Sequence, residues 1–193
     1  MYEFISGRIE EITPASIVVE QQGVGYFINI SVYTYTRLSE KKECKLYTHQ
    51  IVREDAHLLF GFADKAERDV FRHLLSVNGV GANTARMMLS SLTPVEIQDA
   101  ILQNNVQALK SIKGIGAKSA QRIIVDLRDK IGKGSGSDEK LPVADNTIQE
   151  EALSALVMLG FPKGKVNKVL SELTKKDPSM SVEDLVKTAL KRI

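Results

Sequence analysis

The segment "SVNGVGANTAR" (76–86) returns in near copy as "SIKGIGAKSAQR" (111–122), 35 residues further along the chain. In each copy a glycine, an apolar residue and a second glycine separate two stretches whose apolar residues have helical spacing. The repeat therefore predicts two copies of one helix–tight turn–helix unit. Of the chain's 13 glycines, four occupy matching positions in the two copies: Gly79, Gly81, Gly114 and Gly116.

A turn of this kind suits a phosphate group. Glycine permits positive φ and a close approach of the backbone to a ligand, and we expect Val80 and Ile115 to enter the small core of each unit. The helix after the turn begins with unpaired N–H groups, which together with the helix dipole attract an anion. Backbone amides carry no base information, so the repeat predicts contact with the nucleic-acid backbone rather than with sequence.

Three cations follow the two turns, and we predict that they contact phosphate: Arg86, Lys118 and Arg122. The alternative for each is a solvated helix face. A dinucleotide-binding loop is excluded because the third glycine of that motif is replaced by Thr84 and Ser119, and because a helix rather than a strand precedes each copy. The chain has no GxxxxGK[ST] loop for ATP.

The 193 residues divide by pattern into several parts. Residues 1–62 contain five short segments rich in Ile, Val, Tyr and Phe, which predict a small OB-like β-barrel. Residues 63–130 have helical spacing throughout, with short links between the helices. Net charge is −2 over residues 1–62, +3 over 63–130 and +1 over 131–193, so the glycine repeats lie in the most basic part.

The end of the chain predicts a separate small domain. Residues 131–146 are rich in Gly, Ser and charge, which is typical of a flexible linker. Residues 147–193 predict a three-helix bundle, with Thr147 and Glu150 as a capping box and Gly160 as the end of its first helix. The fold class is therefore α+β multidomain: an N-terminal OB-like barrel, a central tandem helix-hairpin-helix domain and a C-terminal three-helix bundle.

The two glycine units resemble the helix-hairpin-helix motif, and the whole chain resembles the RuvA family of Holliday-junction-binding subunits. The resemblance rests on "GVGY" (23–26), "VREDAHLLFGF" (52–62), "NGVGA" (78–82) and "KGIGAKSAQRIIVDL" (113–127). The chain departs from the family in having Asn83 and Ala117 where Lys is common. This implies that the first unit relies on backbone amides and on Arg86.

Membership would imply a function and a set of partners. It implies non-sequence-specific binding of four-way DNA junctions by a homotetramer, with one or two tetramers (an octamer) on the DNA. It also implies that the C-terminal domain recruits RuvB, the hexameric motor ATPase, for branch migration in recombination and repair. RuvC resolvase is a further candidate partner. The chain itself would be a non-catalytic subunit without cofactor or metal.

The resemblance also implies roles for two further groups of residues. Glu54 and Asp55 match the family's acidic pin, which would lie at the junction centre; the alternative is an ordinary solvated turn. In the C-terminal domain we predict that Leu156, Leu159 and Phe161 offer apolar surface to the partner ATPase, although some of the three must form the domain's core.

A different class of function, a repair glycosylase or a structure-specific nuclease, remains open as the second hypothesis. A glycosylase of this type needs a catalytic Asp just beyond its hairpin, but the next carboxylate after Gly116 is Asp126. A nuclease needs clustered carboxylates for a metal ion, and Glu54 with Asp55 is a single pair.

The remaining reactive residues predict no further chemistry. His49, His57 and His73 are scattered without metal-ligand spacing, and Cys44 has no partner for a disulfide. Tyr26, Tyr33 and Tyr35 are expected to pack in the barrel. The absence of a signal sequence or an apolar run of membrane-spanning length favours a cytoplasmic location.

Overall fold

The computed structural model describes residues 2–134, 144–177 and 180–192. It separates the described residues into two compact units. One contains residues 2–134, and the other contains the described residues from 144 onward. The first unit includes the predicted barrel and both glycine repeats.

Five strands form a closed barrel at the start of the first unit. They pair in the order β1-β2-β3-β5-β4, and β4 returns to pair with β1. All pairs are antiparallel except β3 with β5. The predicted OB-like barrel and the positions of its five strands are confirmed. The strands are β1 (Phe4–Ile12), β2 (Ser16–Gln21), β3 (Val24–Ile30), β4 (Glu43–Val52) and β5 (His57–Phe62).

A short helix that the sequence analysis missed connects β3 to β4. This helix, α1 (Val32–Leu38), begins after Ser31, whose hydroxyl accepts a hydrogen bond from the amide of Thr34 at 3.0 Å. Its sequence "VYTYTRL" is rich in β-branched and aromatic residues, which favour strands. The serine cap was therefore the one local signal for a helix.

The helices after the barrel follow the predicted order. Thr93 forms the predicted cap of α4, with its hydroxyl and the Glu96 carboxylate satisfying each other's backbone amides. In the first unit the helices are α2 (Lys65–Leu75), α3 (Ala82–Ser91), α4 (Pro94–Leu102), α5 (Val106–Lys110) and α6 (Ala117–Gly134). In the second unit they are α7 (Ala144–Met158), α8 (Lys163–Lys176) and α9 (Val182–Leu190).

The boundaries of the predicted linker need correction on both sides. Helix α6 continues to Gly134, and Ile131 is buried in the core of the first unit. Helix α7 already begins at Ala144, before the capping box predicted at Thr147. Burial of one apolar residue, which composition does not reveal, extends α6 into a segment that reads as polar. Of the predicted linker, residues 135–143 lie outside the described residues.

The barrel and the glycine repeats share one hydrophobic core. The ring of Phe71 in α2 lies 5.2 Å from that of Phe60 and 4.8 Å from that of Phe62, both in β5. All three rings are fully buried or nearly so, in the cluster that also contains the interior of the helices. The sequence separated residues 1–62 from 63–130, whereas packing joins them.

A buried carboxylate joins the same two parts of the chain. Glu67 in α2 is fully buried and accepts hydrogen bonds from the hydroxyls of Ser31 and Thr34. It also accepts one from the amide of Ala63 at 3.1 Å. Burial raises the pKa of the Glu67 carboxyl, and the bonds from the two hydroxyls oppose that rise. Hydrogen bonds to buried polar groups are expensive to lose, so this contact fixes α2 against α1.

We predict a pH-dependent cost for Glu67→Gln. A carboxyl whose folded pKa is raised contributes stability that is present below the unfolded pKa and is lost as pH rises through the folded value. The amide cannot titrate, so the cost of the substitution should be largest near pH 4.5, the ordinary Glu value, and smaller at pH 7.5. Urea unfolding followed by tyrosine fluorescence measures it, because all five tyrosines lie in residues 1–62.

Glu67→Ala is the matched control. It leaves the buried hydroxyls of Ser31 and Thr34 without an acceptor, and each such group costs about 1–3 kcal/mol. The Ala63 amide keeps the Thr34 hydroxyl as an acceptor at 2.9 Å. Glu67→Ala should therefore destabilise the first unit at both pH values. A cost of Glu67→Gln that is independent of pH would contradict the raised pKa.

Candidate nucleic-acid interface

The first glycine turn, residues 76–81, links α2 to α3 and has the predicted left-handed backbone. Gly79 has φ +88°, while Val80 is only 7% exposed and lies in the shared core. The amide of Val80 donates to the carbonyl of Val77 at 3.1 Å, which closes the turn. The prediction that Val80 enters the core is confirmed.

Gly81 has a different task from Gly79. It is the residue before α3, with extended backbone (φ −87°), and it provides no side-chain cap. An added β-carbon at Gly81 would meet nothing within 4 Å. Among the described residues, the amides of 82–84 have no hydrogen-bond acceptor. The start of α3 therefore presents free N–H donors beside an open surface, as an anion site requires.

The second glycine turn, residues 111–116, reproduces this geometry between α5 and α6. Gly114 has φ +89°, and Ile115 is 5% exposed. The amide of Ile115 donates to the carbonyl of Ile112 at 3.0 Å, and Gly116 has the same open surroundings as Gly81. The sequence repeat is therefore a structural repeat, with two equivalent backbone donor sites in one unit.

Arg86 faces the barrel. Its Nη1 donates to the carbonyl of Ala15 at 2.9 Å and to Oδ1 of Asn29 at 3.2 Å. The side-chain Nδ2 of Asn29 donates in turn to the carbonyl of Leu59 in β5. The guanidinium that was predicted to contact phosphate therefore ties α3 to three segments of the barrel, and one of its nitrogens is already occupied.

Lys118 and Arg122 lie on the exposed surface of α6 but in different environments. Lys118, in the first turn of α6, makes no hydrogen bond or ion pair with any residue that the structure describes. Arg122 reaches the first glycine turn, where its Nη1 donates to the carbonyl of Asn78 at 3.1 Å. The second repeat thus contributes a cation to the turn of the first repeat.

Glu54 and Asp55 form the exposed tip of the β4–β5 hairpin. The amide of Arg53 donates to the carbonyl of Ala56 at 2.9 Å, so only these two acidic residues project beyond the closed end. The predicted position of this acidic turn between the fourth and fifth strands is confirmed.

The three residues predicted to bind a partner through the C-terminal unit have unequal exposure. Leu156 is fully buried and Phe161 packs against the core, so the prediction for Leu156 is wrong: its side chain holds α7 to α8 and α9. Leu159 is 62% exposed, and its neighbour Met158, which the sequence analysis did not select, is 86% exposed. Gly160, with φ +95°, ends the helix as predicted.

Cys44 and His49 lie in buried or partly buried surroundings that disfavour their charged forms. Burial raises the pKa of the Cys44 thiol to about 11. Burial, with Arg72 and Arg68 nearby, lowers the pKa of His49, whose ring lies 5.6 Å from that of Phe71. Within residues 2–134, 144–177 and 180–192, no three His, Cys, Asp or Glu side chains are grouped closely enough to hold a metal ion.

Comparison with known proteins assigns all three parts of the chain. Family models match residues 1–61 as the RuvA N-terminal domain, 71–129 as a SAM-like helix-hairpin-helix tandem and 147–193 as the RuvA C-terminal domain. The chain belongs to the RuvA family. The family resemblance predicted from the sequence, and the three-part architecture that it implied, are confirmed.

Full-length relatives support this assignment. A protein of Christiangramia forsetii is 47% identical over 193 residues, and one of Bacteroides fragilis is 46% identical over 201 residues; both alignments cover all of each chain. A third relative, from Cytophaga hutchinsonii, is 42% identical over 99% of each chain. Each is named as the RuvA subunit of a Holliday junction branch migration complex. No helix in the described part of the chain is long and apolar enough to cross a membrane.

We predict that the two glycines of each turn respond differently to alanine. Gly79→Ala and Gly114→Ala force a side chain into left-handed backbone, at a cost of roughly 1–2 kcal/mol each. Gly81→Ala and Gly116→Ala place a methyl group in open space without positive φ, so stability should hardly change. Urea unfolding monitored by tyrosine fluorescence reports both, because the turns and the barrel share a core. Equal costs at Gly79 and Gly81 would refute the strain argument.

Proposed function

We propose that the chain binds four-way DNA junctions without sequence specificity and delivers them to a motor ATPase for branch migration. The observation that carries this proposal is the pair of equivalent glycine turns, each presenting free amides at an open helix start. Membership of the RuvA family supplies the class of DNA substrate. The groups available at the two turns are backbone amides and cations, which suit phosphates rather than base edges.

We assign different roles to the residues of the two glycine turns and to Arg86. Gly79, Val80 and Gly81 build one phosphate site, and Gly114, Ile115 and Gly116 build the other, with Lys118 beside it. Arg86 holds α3 to the barrel, so we assign it to fixing the first site relative to the acidic turn rather than to phosphate. In a homotetramer, which the family resemblance implies, the sites of all subunits would face the arms of one junction.

The acidic turn would select for junctions by repulsion. Glu54 and Asp55 from each subunit would gather near the fourfold axis, where a phosphate backbone within about 8–10 Å is repelled with little screening. The centre of an open junction, where strands separate, avoids this repulsion, whereas a continuous duplex crossing the centre does not. The turn would thus lower affinity for the wrong DNA structure.

The C-terminal unit would bind the partner ATPase, RuvB. Met158 and Leu159 are adjacent and exposed at the end of α7, and exposed apolar residues of this size favour a protein contact. The three helices pack around their own core, so the surface does not depend on the DNA-binding unit. The whole chain would act as a non-catalytic cytoplasmic subunit, as one tetramer or two on the junction. RuvC resolvase remains a further candidate partner.

A competition experiment tests the proposed function together with the acidic turn. Labelled four-way junction should be bound more tightly than linear duplex of equal length, and both affinities should fall steeply with salt. In the double variant Glu54→Gln, Asp55→Asn, duplex affinity should rise about two- to fivefold, the range expected for relief of exposed charge contacts. Junction affinity should rise less.

Three results would count against these assignments. Equal affinity of the unaltered chain for junction and duplex would overturn junction recognition. Unchanged duplex affinity in the double variant at every salt concentration would reduce the acidic turn to an ordinary solvated loop. Cleavage or base release when labelled junction is incubated with the protein and Mg²⁺ would favour a glycosylase or nuclease instead.

The C-terminal assignment predicts a separation of functions. Met158→Ser with Leu159→Ser should leave junction binding unchanged and weaken binding of RuvB about tenfold or more, as expected when central apolar contacts are lost. Lys168→Ser, an exposed substitution in α8 of the same unit, is the matched control. RuvB-driven branch migration at normal rates by the double variant would show that this apolar surface is not the contact.

A further inference from the structure

The two glycine turns differ in charge although their backbones match. Aligning the repeats by their glycines pairs Asn78 with Lys113 and Asn83 with Lys118. The second turn therefore has a cation on each side, and the first has an uncharged amide side chain in both places. A phosphate at the first turn would meet backbone donors without a cation from its own repeat.

The first repeat does contain a cation, Arg86, but its side chain is directed to the barrel. Arg86 donates from the same nitrogen to Ala15 and to Asn29 in the barrel. Its counterpart in the second repeat is Gln121, and the counterpart of Arg122 in the first repeat is Met87. The repeats thus place their arginines one position apart, and on a helix a shift of one residue turns the side chain by about 100°.

That displacement brings Arg122 to the first turn. Its Nη1 lies 3.1 Å from the carbonyl oxygen of Asn78, and a β-carbon built on Gly79 would lie 3.7 Å from the same nitrogen. A second hydrogen bond connects α6 to the first glycine turn, since Nζ of Lys130 donates to the hydroxyl of Ser76 at 3.0 Å. Helix α6 of the second repeat therefore lies along the end of the first repeat, with Arg122 beside the left-handed glycine.

From this geometry we infer that Arg122, carried by the second repeat, is the phosphate-binding cation of the first glycine turn. A guanidinium has five N–H donors, and the bond to Asn78 uses one of them. The others remain for a phosphate oxygen at the exposed turn. Lys118 serves the second turn, so each phosphate site has backbone donors from one repeat and a cation from α6.

The inference rests on the proposed phosphate contacts of the turns, and it adds a consequence. If α6 supplies the cations for both sites, its position sets the separation of the two bound phosphates. The bond from Arg122 to Asn78 then keeps the first turn in register with the second. Arg122 would act both as a ligand for phosphate and as a link between the two sites.

A double-mutant cycle on linear duplex DNA tests the assignment. Gly81→Asp disables the first turn and Gly116→Asp the second, because each puts a carboxylate beside the phosphate at a position with open space and no left-handed φ. Arg122→Gln removes the charge and retains a hydrogen-bonding side chain. Affinities are measured for the full-length chain, with circular dichroism as the check on folding.

The expected pattern is specific to the turn. The loss of affinity caused by Arg122→Gln should persist within about a factor of two in the Gly116→Asp background, as for independent sites. In the Gly81→Asp background it should shrink to less than about twofold, because the site it serves is already lost. Lys118→Gln is the matched control on the same helix, and its effect should vanish with Gly116→Asp instead.

The salt dependence of DNA affinity distinguishes two roles for Arg122: binding a phosphate, and only supporting the first turn through its hydrogen bond to Asn78. Removing one phosphate contact lowers the slope of log affinity against log salt by about 0.9, so Arg122→Gln should reduce the slope and Arg122→Lys should largely restore it. A loss of affinity with an unchanged slope would mean that Arg122 only braces the turn. An effect of Arg122→Gln that persists with Gly81→Asp and vanishes with Gly116→Asp would assign it to its own repeat.

Measurement on linear duplex keeps this test apart from the proposed function. Equal binding of junction and duplex by the unaltered chain would overturn junction recognition, yet the cycle would still report which turn Arg122 serves. Absence of any DNA binding by the unaltered chain would overturn the phosphate sites themselves, and the assignment of Arg122 with them.

Discussion

The packing of Phe71 against Phe60 and Phe62 is the constraint on which the first unit depends. It removes three aromatic side chains from water at the place where the barrel ends and the helices begin. Aromatic rings bury a large apolar area, and the contact of these three rings holds α2 against β5. Glu67 also restricts the orientation of α2, because its carboxylate must reach the hydroxyls of Thr34 in α1 and of Ser31 just before it.

A fixed α2 places the glycine turns at a fixed position relative to the acidic turn. The first glycine turn follows α2 directly, and the acidic turn precedes β5, so both lie at ends of elements that share the aromatic contact. Arg86 reinforces the arrangement from α3 through Asn29, which is bonded to Leu59 in β5. Groups that would bind and repel DNA thus belong to one compact unit, as selection for a particular DNA shape requires.

The two repeats show how one backbone can carry two different sets of side chains. Both turns need a left-handed glycine and a buried apolar residue, and both have them. Their surface residues are free of that requirement and differ between the two repeats. The first repeat uses its arginine to hold the barrel, while the second extends its arginine to the neighbouring turn. This division depends on α6 lying beside the first repeat, so it would not exist in an isolated hairpin.

The sequence by itself determined the barrel strands, the order of the helices, both glycine turns and the family. These features follow from local rules: alternation in strands, helical spacing, and glycine where φ is positive, as at Gly79 and Gly114. Only the tertiary structure decided that Ile131 and Leu156 are core, that "VYTYTRL" is a helix, and that Arg86 and Arg122 point to the barrel and to the first turn. Burial and side-chain direction depend on what packs alongside, and the carbonyl partners of the two arginines lie 44 and 71 residues away along the chain. Contacts at that separation leave no pattern in the residues around either arginine.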